Sequence, residues 1–181
     1  MYNKYGDTMK EILNKEQIMR SLRRITHEII EKNDSLENLI LVGIKRKGLP
    51  VAKIIKNNIL EFSNIDIPIY ELDISNYRDD VKINNTNLNN FVIDEKNVIL
   101  VDDVLYTGRT VRAALDALND LGRFNKLQLV VLVDRGHREL PIRADYVGKN
   151  IPTSKDEKVL LDLNEFTLHI AQGDSNKNAN Q

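Results

Sequence analysis

Apolar and polar residues form two alternating patterns along the chain. Three short runs are almost entirely apolar, namely residues 39–44, 98–101 and 127–133. Such runs are typical of strands covered on both faces, as in a parallel sheet. Three longer segments repeat apolar residues at the spacing of an amphipathic helix: residues 16–33, 49–60 and 110–121. The alternation predicts an α/β fold with a largely parallel central sheet flanked by helices.

The remaining apolar segments predict further strands. Residues 65–74 and 144–147 are expected to extend the sheet, and residues 158–163 and 166–170 are expected to form a closing pair. Residues 1–14 are mixed and polar, and we predict no element there. In the first helix, the buried stripe is predicted to consist of Ile18, Leu22, Ile25 and Ile29.

Two polar segments are expected to lie outside the core. Residues 76–96 are rich in asparagine, which favours a mobile excursion over a buried element. Residues 173–181 have almost nothing to bury and predict a disordered tail. A single domain is therefore expected over residues 1–172.

Composition narrows the classes of function. The chain has no cysteine and three histidines, which disfavours disulfides, thiolate nucleophiles, Fe–S clusters and a histidine-rich metal site. Its 26 Lys and Arg residues balance 27 Asp and Glu residues, so any nucleic-acid surface has to be a local patch. No apolar stretch reaches membrane-spanning length, and residues 1–14 lack the apolar segment of a leader. The expected location is therefore the cytoplasm, with no membrane partner.

The segment with the most chemical information joins the predicted strand 98–101 to the predicted helix 110–121. Asp102 and Asp103 follow the strand, and Thr107-Gly108-Arg109-Thr110 opens the helix. Free N–H groups and the positive dipole end of a helix bind anions, and Gly108 permits a close backbone approach. Thr107 and Thr110 are expected to cap the helix or to donate their hydroxyls.

Paired carboxylates beside an anion site indicate a sugar phosphate, because carboxylates accept hydrogen bonds from sugar hydroxyls. The segment has neither the Gly-x-x-x-x-Gly-Lys of a P-loop nor the Gly-x-Gly-x-x-Gly of a dinucleotide site. An ordinary strand–helix turn with Asp and Thr caps is the alternative interpretation.

The stretch Val101-Asp102-Asp103-Val104-Leu105-Tyr106-Thr107-Gly108-Arg109-Thr110 resembles the phosphoribosyl-pyrophosphate (PRPP) motif of type I phosphoribosyltransferases. A second run, residues 133–154, begins Val133-Asp134-Arg135-Gly136-His137-Arg138. Together the two runs resemble the family of bifunctional pyrimidine-operon attenuation regulators and uracil phosphoribosyltransferases. The resemblance extends from about residue 16 to about residue 163.

The resemblance implies a type I phosphoribosyltransferase fold with a mobile loop and a small hood. It implies the reaction uracil + PRPP → UMP + pyrophosphate, with Mg²⁺ held through PRPP and without direct protein ligands. The catalytic residues implied are Asp102, Asp103 and Arg78. Arg78 belongs to Tyr77-Arg78-Asp79-Asp80, the start of a loop that closes over PRPP in the family.

The remaining site residues also follow from the resemblance. For PRPP and nucleotide binding they are Val98, Ile99, Leu100, Val101, Asp102, Asp103, Val104, Leu105, Tyr106, Thr107, Gly108, Arg109 and Thr110, with Lys45, Arg46 and Lys47 on the pyrophosphate. Relatives usually carry Thr-Arg at Arg46-Lys47, which retains the charge but not a bidentate Arg contact at the second position. Uracil recognition is expected at Arg135 and Val159.

In this family a basic surface across a dimer binds a hairpin in the leader mRNA of pyrimidine genes. The RNA-binding residues implied here are Arg24, His27, Arg138, Arg143 and Lys149. UMP in the nucleotide pocket is expected to favour RNA binding, so that a terminator forms and transcription stops. UTP is a further expected ligand. A homodimer, or a hexamer, is the expected assembly.

Other interpretations of the same residues stay open at this point. The chain is alternatively a salvage phosphoribosyltransferase without an RNA role, or a regulator that has lost catalysis. Residues 45–48 alone fit a solvated basic turn, and residues 135–149 a solvated loop. Asp134 and Arg135 alone fit an internal ion pair.

Overall fold

The computed structural model of the protein describes residues 9–78 and 90–172. In chain order its elements are β1 (Met9–Leu13), α1 (Lys15–Lys32), β2 (Leu39–Ile44), α2 (Gly48–Ser63), β3 (Ile69–Leu72), β4 (Asn97–Leu105), α3 (Arg109–Leu121), β5 (Lys126–Asp134), β6 (Tyr146–Asn150), β7 (Glu157–Asp162) and β8 (Thr167–Gln172).

Five parallel strands form the central sheet in the order β3-β2-β4-β5-β6. Alternate residues of each strand face opposite layers. Leu39 and Leu41 of β2 pack in the same cluster as α1 and α2, whereas Ile40 and Val42 pack in the cluster that contains α3. Both faces of the sheet are thus covered by helices, as expected for a parallel sheet with apolar strands. The predicted fold class is confirmed.

The first two helices follow their sequence patterns. Asn14 and Gln17 form a capping box at the start of α1, each accepting the other's backbone N–H. The predicted stripe of α1 is fully buried: Ile18, Leu22, Ile25 and Ile29. In α2, Val51 and Ile55 are buried as well. The helical periodicity therefore determines which faces of α1 and α2 pack on the sheet.

A separate three-stranded antiparallel sheet has the order β1-β8-β7 and forms the hood. The predicted closing pair is confirmed as β7 and β8. The prediction of no element before residue 15 is wrong, since β1 pairs with β8 through Met9↔Ala171 and Lys10↔Ile170. Among the residues of β1, Leu13 alone is buried, so the strand depends on its distant partner rather than on an apolar pattern.

Several predicted strand boundaries are corrected. β4 was expected to end at Val101, but it remains paired with β5 up to Leu105↔Asp134, so Asp102 and Asp103 lie within the strand. β3 is shorter than the predicted 65–74, and Pro68, which lacks an N–H, directly precedes it. β6 begins at Tyr146 rather than Ala144.

Of the predicted asparagine-rich excursion, the structure describes residues 76–78 and 90–96. Residues 79–89 lie outside the described residues, as do 1–8 and the predicted tail 173–181. The last part of the predicted excursion does not leave the core: Ile93 is fully buried, and the Phe91 ring stacks on Tyr70 at 4.5 Å between centroids. Within the described ranges, none of the helices combines the length and apolarity needed to cross a membrane.

The start of α2 packs unusually close to the end of β4. A Cβ atom added to Gly48 would lie 2.3 Å from the carbonyl oxygen of Val101. Gly48→Ala should therefore displace backbone and lower the free energy of unfolding by about 1–3 kcal/mol. Urea denaturation measures the change, and Lys53→Ala, at an exposed site of the same helix, should stay within about 0.5 kcal/mol. Equal stability of the Gly48→Ala variant and the wild type would contradict this close contact.

Candidate active site

Three neighbouring strands of the central sheet end at one cleft of about 570 Å³. Because parallel strands share their carboxyl edge, the loops after β2 and β3 and the last residues of β4 meet there. The residues that line the cleft are Ile44, Lys45, Arg46, Lys47, Asp73, Ile74, Ser75, Arg78, Asp102, Asp103, Val104 and Thr110. The structure thus brings together the predicted acids, the basic turn after β2 and Arg78.

The N-terminus of α3 lies beside this cleft. Gly108 is its N-cap residue, with a left-handed backbone at φ 91°, and no side chain caps the helix. Capping by Thr107 or Thr110, one of the two roles expected of them, is therefore wrong. Only a marginal contact of 3.4 Å joins the Arg109 N–H to the Thr107 hydroxyl. The helix start retains backbone donors and the positive end of its dipole for an anion.

The two adjacent acids of β4 differ in their surroundings. Asp102 is buried, and its Oδ1 accepts the backbone N–H of Asp103 at 2.9 Å. Burial, together with the charge of Asp103, raises the pKa of Asp102 well above its ordinary value. Asp103 lies closer to solvent, with its carboxylate 3.6 Å from the Lys47 ammonium. The pair therefore presents one acid that favours its neutral form and one that contacts a cation.

The basic turn after β2 has a strained backbone. Arg46 adopts φ 79°, a left-handed conformation that costs a non-glycine residue about 1–2 kcal/mol. The N–H of Lys45 donates to the carbonyl of Leu72 at 2.9 Å, and its ammonium pairs with Asp73. Residues 45–47 therefore line the cleft, and Lys45 and Arg46 are exposed there.

Asp73 was missed by the sequence analysis, which placed it inside the predicted strand 65–74. It is buried at the end of β3, and its Oδ1 accepts both the N–H and the hydroxyl of Ser75. The pattern Asp-x-Ser after an apolar strand was an available signal, because aspartate often accepts the N–H two residues onward.

Arg78 lines the cleft, and the residue before it is held by α3. The Tyr77 hydroxyl donates to Asp120 at 2.7 Å, which together with burial raises the pKa of Tyr77 to about 12. Asp79 and Asp80 lie outside the described residues. The structure thus places the first half of the predicted loop motif at the cleft.

Neither predicted uracil residue lines the cleft. The buried Arg135 side chain donates to the Thr153 hydroxyl at 2.9 Å and to the Glu157 carbonyl at 2.6 Å, and it lies over the Tyr106 ring. Val159 is partly buried in β7, opposite Ile170. The side chain of Arg135 therefore links the hood to the loop after β4.

An ion pair between Asp134 and Arg135 is not formed. Asp134 instead pairs with Arg138, and its Oδ1 accepts the N–H of Gly136 at 2.9 Å. The buried carboxylate of Asp134 therefore depends on Arg138 for its charge partner.

The other predicted RNA-binding residues lie in different surroundings. Arg24 donates to the carbonyls of Val147 and Gly148 at 2.8 and 2.9 Å, which joins α1 to β6. His27 stacks on Phe62 with their ring centroids 4.3 Å apart. Arg143 and Lys149 are exposed, as are Arg24, His27 and Arg138.

The segment that contains Arg138 and Arg143 packs on the loop before α3. The carbonyl of Thr107 accepts the N–H groups of Glu139 and Leu140 at 3.0 and 3.2 Å. Arg109 also pairs with Glu139 at 2.9 Å. The candidate phosphate loop (residues 106–109) and the basic segment (residues 135–149) are thus in direct contact.

Across residues 9–78 and 90–172, no group of three or more His, Asp or Glu side chains is arranged to hold a metal ion.

Comparison with known proteins agrees with this geometry. The phosphoribosyl transferase domain family matches residues 8–163. Bifunctional protein PyrR of Pasteurella multocida is 54% identical over 159 residues, covering 83% of this chain and 88% of that protein. Bifunctional protein PyrR of Oceanobacillus iheyensis is 55% identical over 164 residues, covering 86% and 91%. This chain belongs to the PyrR family of phosphoribosyl transferases.

Solved structures of hypoxanthine phosphoribosyltransferases share the fold of this PyrR family chain. A hypoxanthine phosphoribosyltransferase of Staphylococcus aureus is 26% identical, with a TM-score of 0.69 over 88% of this chain and 86% of that chain. That of Trypanosoma cruzi has a TM-score of 0.71 over 91% and 97%, at 20% identity. The predicted type I phosphoribosyltransferase fold is confirmed.

The buried carboxyl of Asp102 should limit stability at neutral and alkaline pH. Because its pKa is higher in the folded than in the unfolded state, its contribution is most favourable below the unfolded value and is lost as the pH rises through the folded value. Asp102→Asn, which stays neutral, should raise the melting temperature relative to wild type at about pH 8, and less so at about pH 4. Differential scanning calorimetry at both pH values measures this; an equal change at both would contradict it.

Proposed function

We propose that this protein transfers the phosphoribosyl group of PRPP to uracil, and that its UMP-bound form binds the leader mRNA of pyrimidine genes and attenuates their transcription. The observation that carries the proposal is the cleft in which the acids of β4, the basic turn after β2 and the start of α3 meet. Membership in the bifunctional PyrR family supports both parts.

PRPP fits the cleft through complementary charges. Asp102 and Asp103 are assigned to the ribose hydroxyls, and the backbone donors of residues 107–110 to the 5′-phosphate. Residues 45–47 and Arg78 are assigned to the pyrophosphate. Three cationic side chains follow one another on the turn, which suits a group with several negative charges.

Oxygen donors are the ligands that Mg²⁺ prefers, and PRPP would supply them itself from its ribose hydroxyls and its pyrophosphate. Asp102 and Asp103 are the residues that would hold the metal, through the ribose hydroxyls of PRPP. When bound, Mg²⁺ supplies positive charge that stabilises the leaving pyrophosphate.

In the reaction, a ring nitrogen of uracil forms a bond to C1′ of the ribose as the bond from C1′ to the pyrophosphate oxygen breaks. The ring nitrogen releases its proton to solvent, and the sugar passes through an oxocarbenium-like state. The protein acts by holding both reactants in line and by stabilising the charge that develops on pyrophosphate. Lys45, Lys47 and Arg78, which line the cleft, are assigned to the second task.

Uracil is assigned to the peptide groups around Arg135 and to Val159. The contacts of the Arg135 side chain with the hood support this assignment indirectly, since they hold β7, which contains Val159, near the loop after β4. Uracil offers alternating acceptors and a donor, which backbone groups can match.

The RNA surface is assigned to Arg24, His27, Arg138, Arg143 and Lys149. The contacts of Arg24 with β6 place the middle of α1 beside the strand that contains Lys149. Arg and Lys neutralise phosphates, and the planes of Arg and His stack on unpaired bases.

A physical route from the nucleotide to the RNA surface supports regulation by UMP. The loop assigned to the 5′-phosphate is bonded to the basic segment through the Thr107 carbonyl and through Arg109 with Glu139. An occupied phosphate site therefore restrains the segment that contains Arg143. By linkage, RNA binding strengthens UMP binding by the same factor. Assembly as a homodimer or hexamer and a cytoplasmic location stay predictions.

Uracil-dependent release of pyrophosphate from PRPP tests the enzymatic activity. Asp103→Asn should lower kcat/KM by about 100-fold or more, because it removes a charge from the assigned ribose contact. The matched control is Asp66→Asn, an exposed carboxylate that pairs with Lys56 outside the cleft lining, and its activity should match the wild type. An inactive wild type, or a fully active Asp103→Asn variant, would contradict the proposal.

Binding to a pyrimidine-leader hairpin, measured by gel shift over a salt series with and without UMP, tests the regulatory role. UMP should tighten binding, and Arg143→Gln should weaken it and reduce the salt slope by about one. Arg143 is a cleaner probe than Arg138, because the latter also neutralises the buried Asp134.

Arg123→Gln is the control for this charge change, because Arg123 is exposed beyond the far end of α3. It should bind RNA as the wild type does. Equal affinity with and without UMP, or for a scrambled hairpin, would leave a salvage enzyme without an RNA role. Tight UMP-dependent binding by a protein without turnover would instead indicate a regulator that has lost catalysis.

A further inference from the structure

Asp73 and Lys45 form a preorganised pair at the edge of the cleft. Asp73 is 6% exposed, and its carboxylate pairs with the Lys45 ammonium. Ser75 holds the same carboxylate with its N–H at 2.9 Å and its hydroxyl at 2.5 Å. Ser75 therefore holds the Asp73 carboxylate in the orientation in which it pairs with Lys45.

The backbone brings the two residues together as well. The parallel register of β2 and β3 ends at Ile44↔Leu72. Lys45 and Asp73 are the residues that directly follow these two adjacent strands. The N–H of Lys45 continues this ladder by donating to the Leu72 carbonyl at 2.9 Å. The position of the pair thus follows from the strand register rather than from a loop conformation.

The second lysine of the turn is held differently. Lys47 approaches Asp103 only to 3.6 Å, and Asp103 is itself assigned to the ribose. Binding of PRPP therefore requires Lys47 and Asp103 to exchange partners, whereas Lys45 and Asp73 can stay together. The Lys45 side chain is 49% exposed, so its ammonium can donate to a ligand while it is paired with Asp73.

We propose that Asp73 is a positioning residue, which orients the Lys45 ammonium toward the pyrophosphate of PRPP. This inference rests on the proposed phosphoribosyl transfer. It assigns Asp73 no contact with the reacting atoms, and its effect on the reaction passes through Lys45.

The ionisation of the pair agrees with this role. Burial favours a higher pKa for Asp73, but the hydrogen bonds from Lys45 and Ser75 outweigh it and lower the pKa. The hydrogen bond and charge of Asp73 raise the pKa of Lys45. Both groups are therefore charged at neutral pH. The pair is lost only as the pH falls through the lowered pKa of Asp73 or rises through the raised pKa of Lys45.

The test compares the binding of two ligands, one with and one without pyrophosphate. Asp73→Asn retains an oxygen that can accept from Ser75 but removes the charge that holds Lys45. By titration calorimetry with Mg²⁺, this variant should bind PRPP about 10- to 100-fold more weakly and UMP unchanged. Asp66→Asn is the matched control, since it also removes a carboxylate paired with a lysine, Lys56, outside the cleft lining, and it should bind both ligands as the wild type does.

A double-mutant cycle with Lys45→Gln separates positioning from a merely structural role. If Asp73 acts through Lys45, the double variant should bind PRPP no more weakly than Lys45→Gln alone. Additive losses, or equal weakening of PRPP and UMP by Asp73→Asn, would overturn the proposal. Absence of turnover in the wild type would contradict the proposed function instead, while the comparison of PRPP with UMP still tests Asp73.

Discussion

The site depends on the parallel register of β2, β3 and β4, which ends three strands at one edge of a buried sheet. This register places Lys45 beside Asp73 and brings Asp102 and Asp103 within reach of the turn after β2. The close packing of Gly48 on the Val101 carbonyl holds that turn against β4. A shift of one strand by one residue would move all of its side chains to the opposite face of the sheet. The register that buries the apolar residues is therefore the same register that positions the residues of the site.

The same arrangement concentrates charge at the boundary between the core and solvent. Asp102 is buried at a cost, as its raised pKa indicates, and the left-handed backbone of Arg46 costs further stability. Such costs are typical of sites where binding needs groups to be oriented in advance. A sheet buried on both faces by α1, α2 and α3 supplies the stability that offsets them.

The contacts around the candidate phosphate loop connect parts of the molecule that are distant in sequence. Tyr106 lies between Arg135, which bonds to the hood, and His137, whose ring meets it edge-on at 5.8 Å. The Thr107 carbonyl and Arg109 contact the basic segment through Glu139. This loop thus lies beside the cleft, contacts the hood through Arg135 and contacts the segment that contains Arg143 directly. These contacts give a physical basis for linking occupancy of one site to binding at another.

The local pattern of the sequence was sufficient for the fold class and for part of the site. Apolar runs and helical periodicity predicted the strands of the central sheet and the buried stripe of α1, because burial on both faces requires such patterns. The resemblance at residues 98–110 and 133–154 indicated the family. It also indicated the acids and the basic turn that the structure brings together at the cleft. Only the tertiary structure revealed β1, Asp73, and the partners of Arg135, Asp134 and Arg24. Each of these depends on residues from another element, and pairings of that kind leave no periodic signal in the chain.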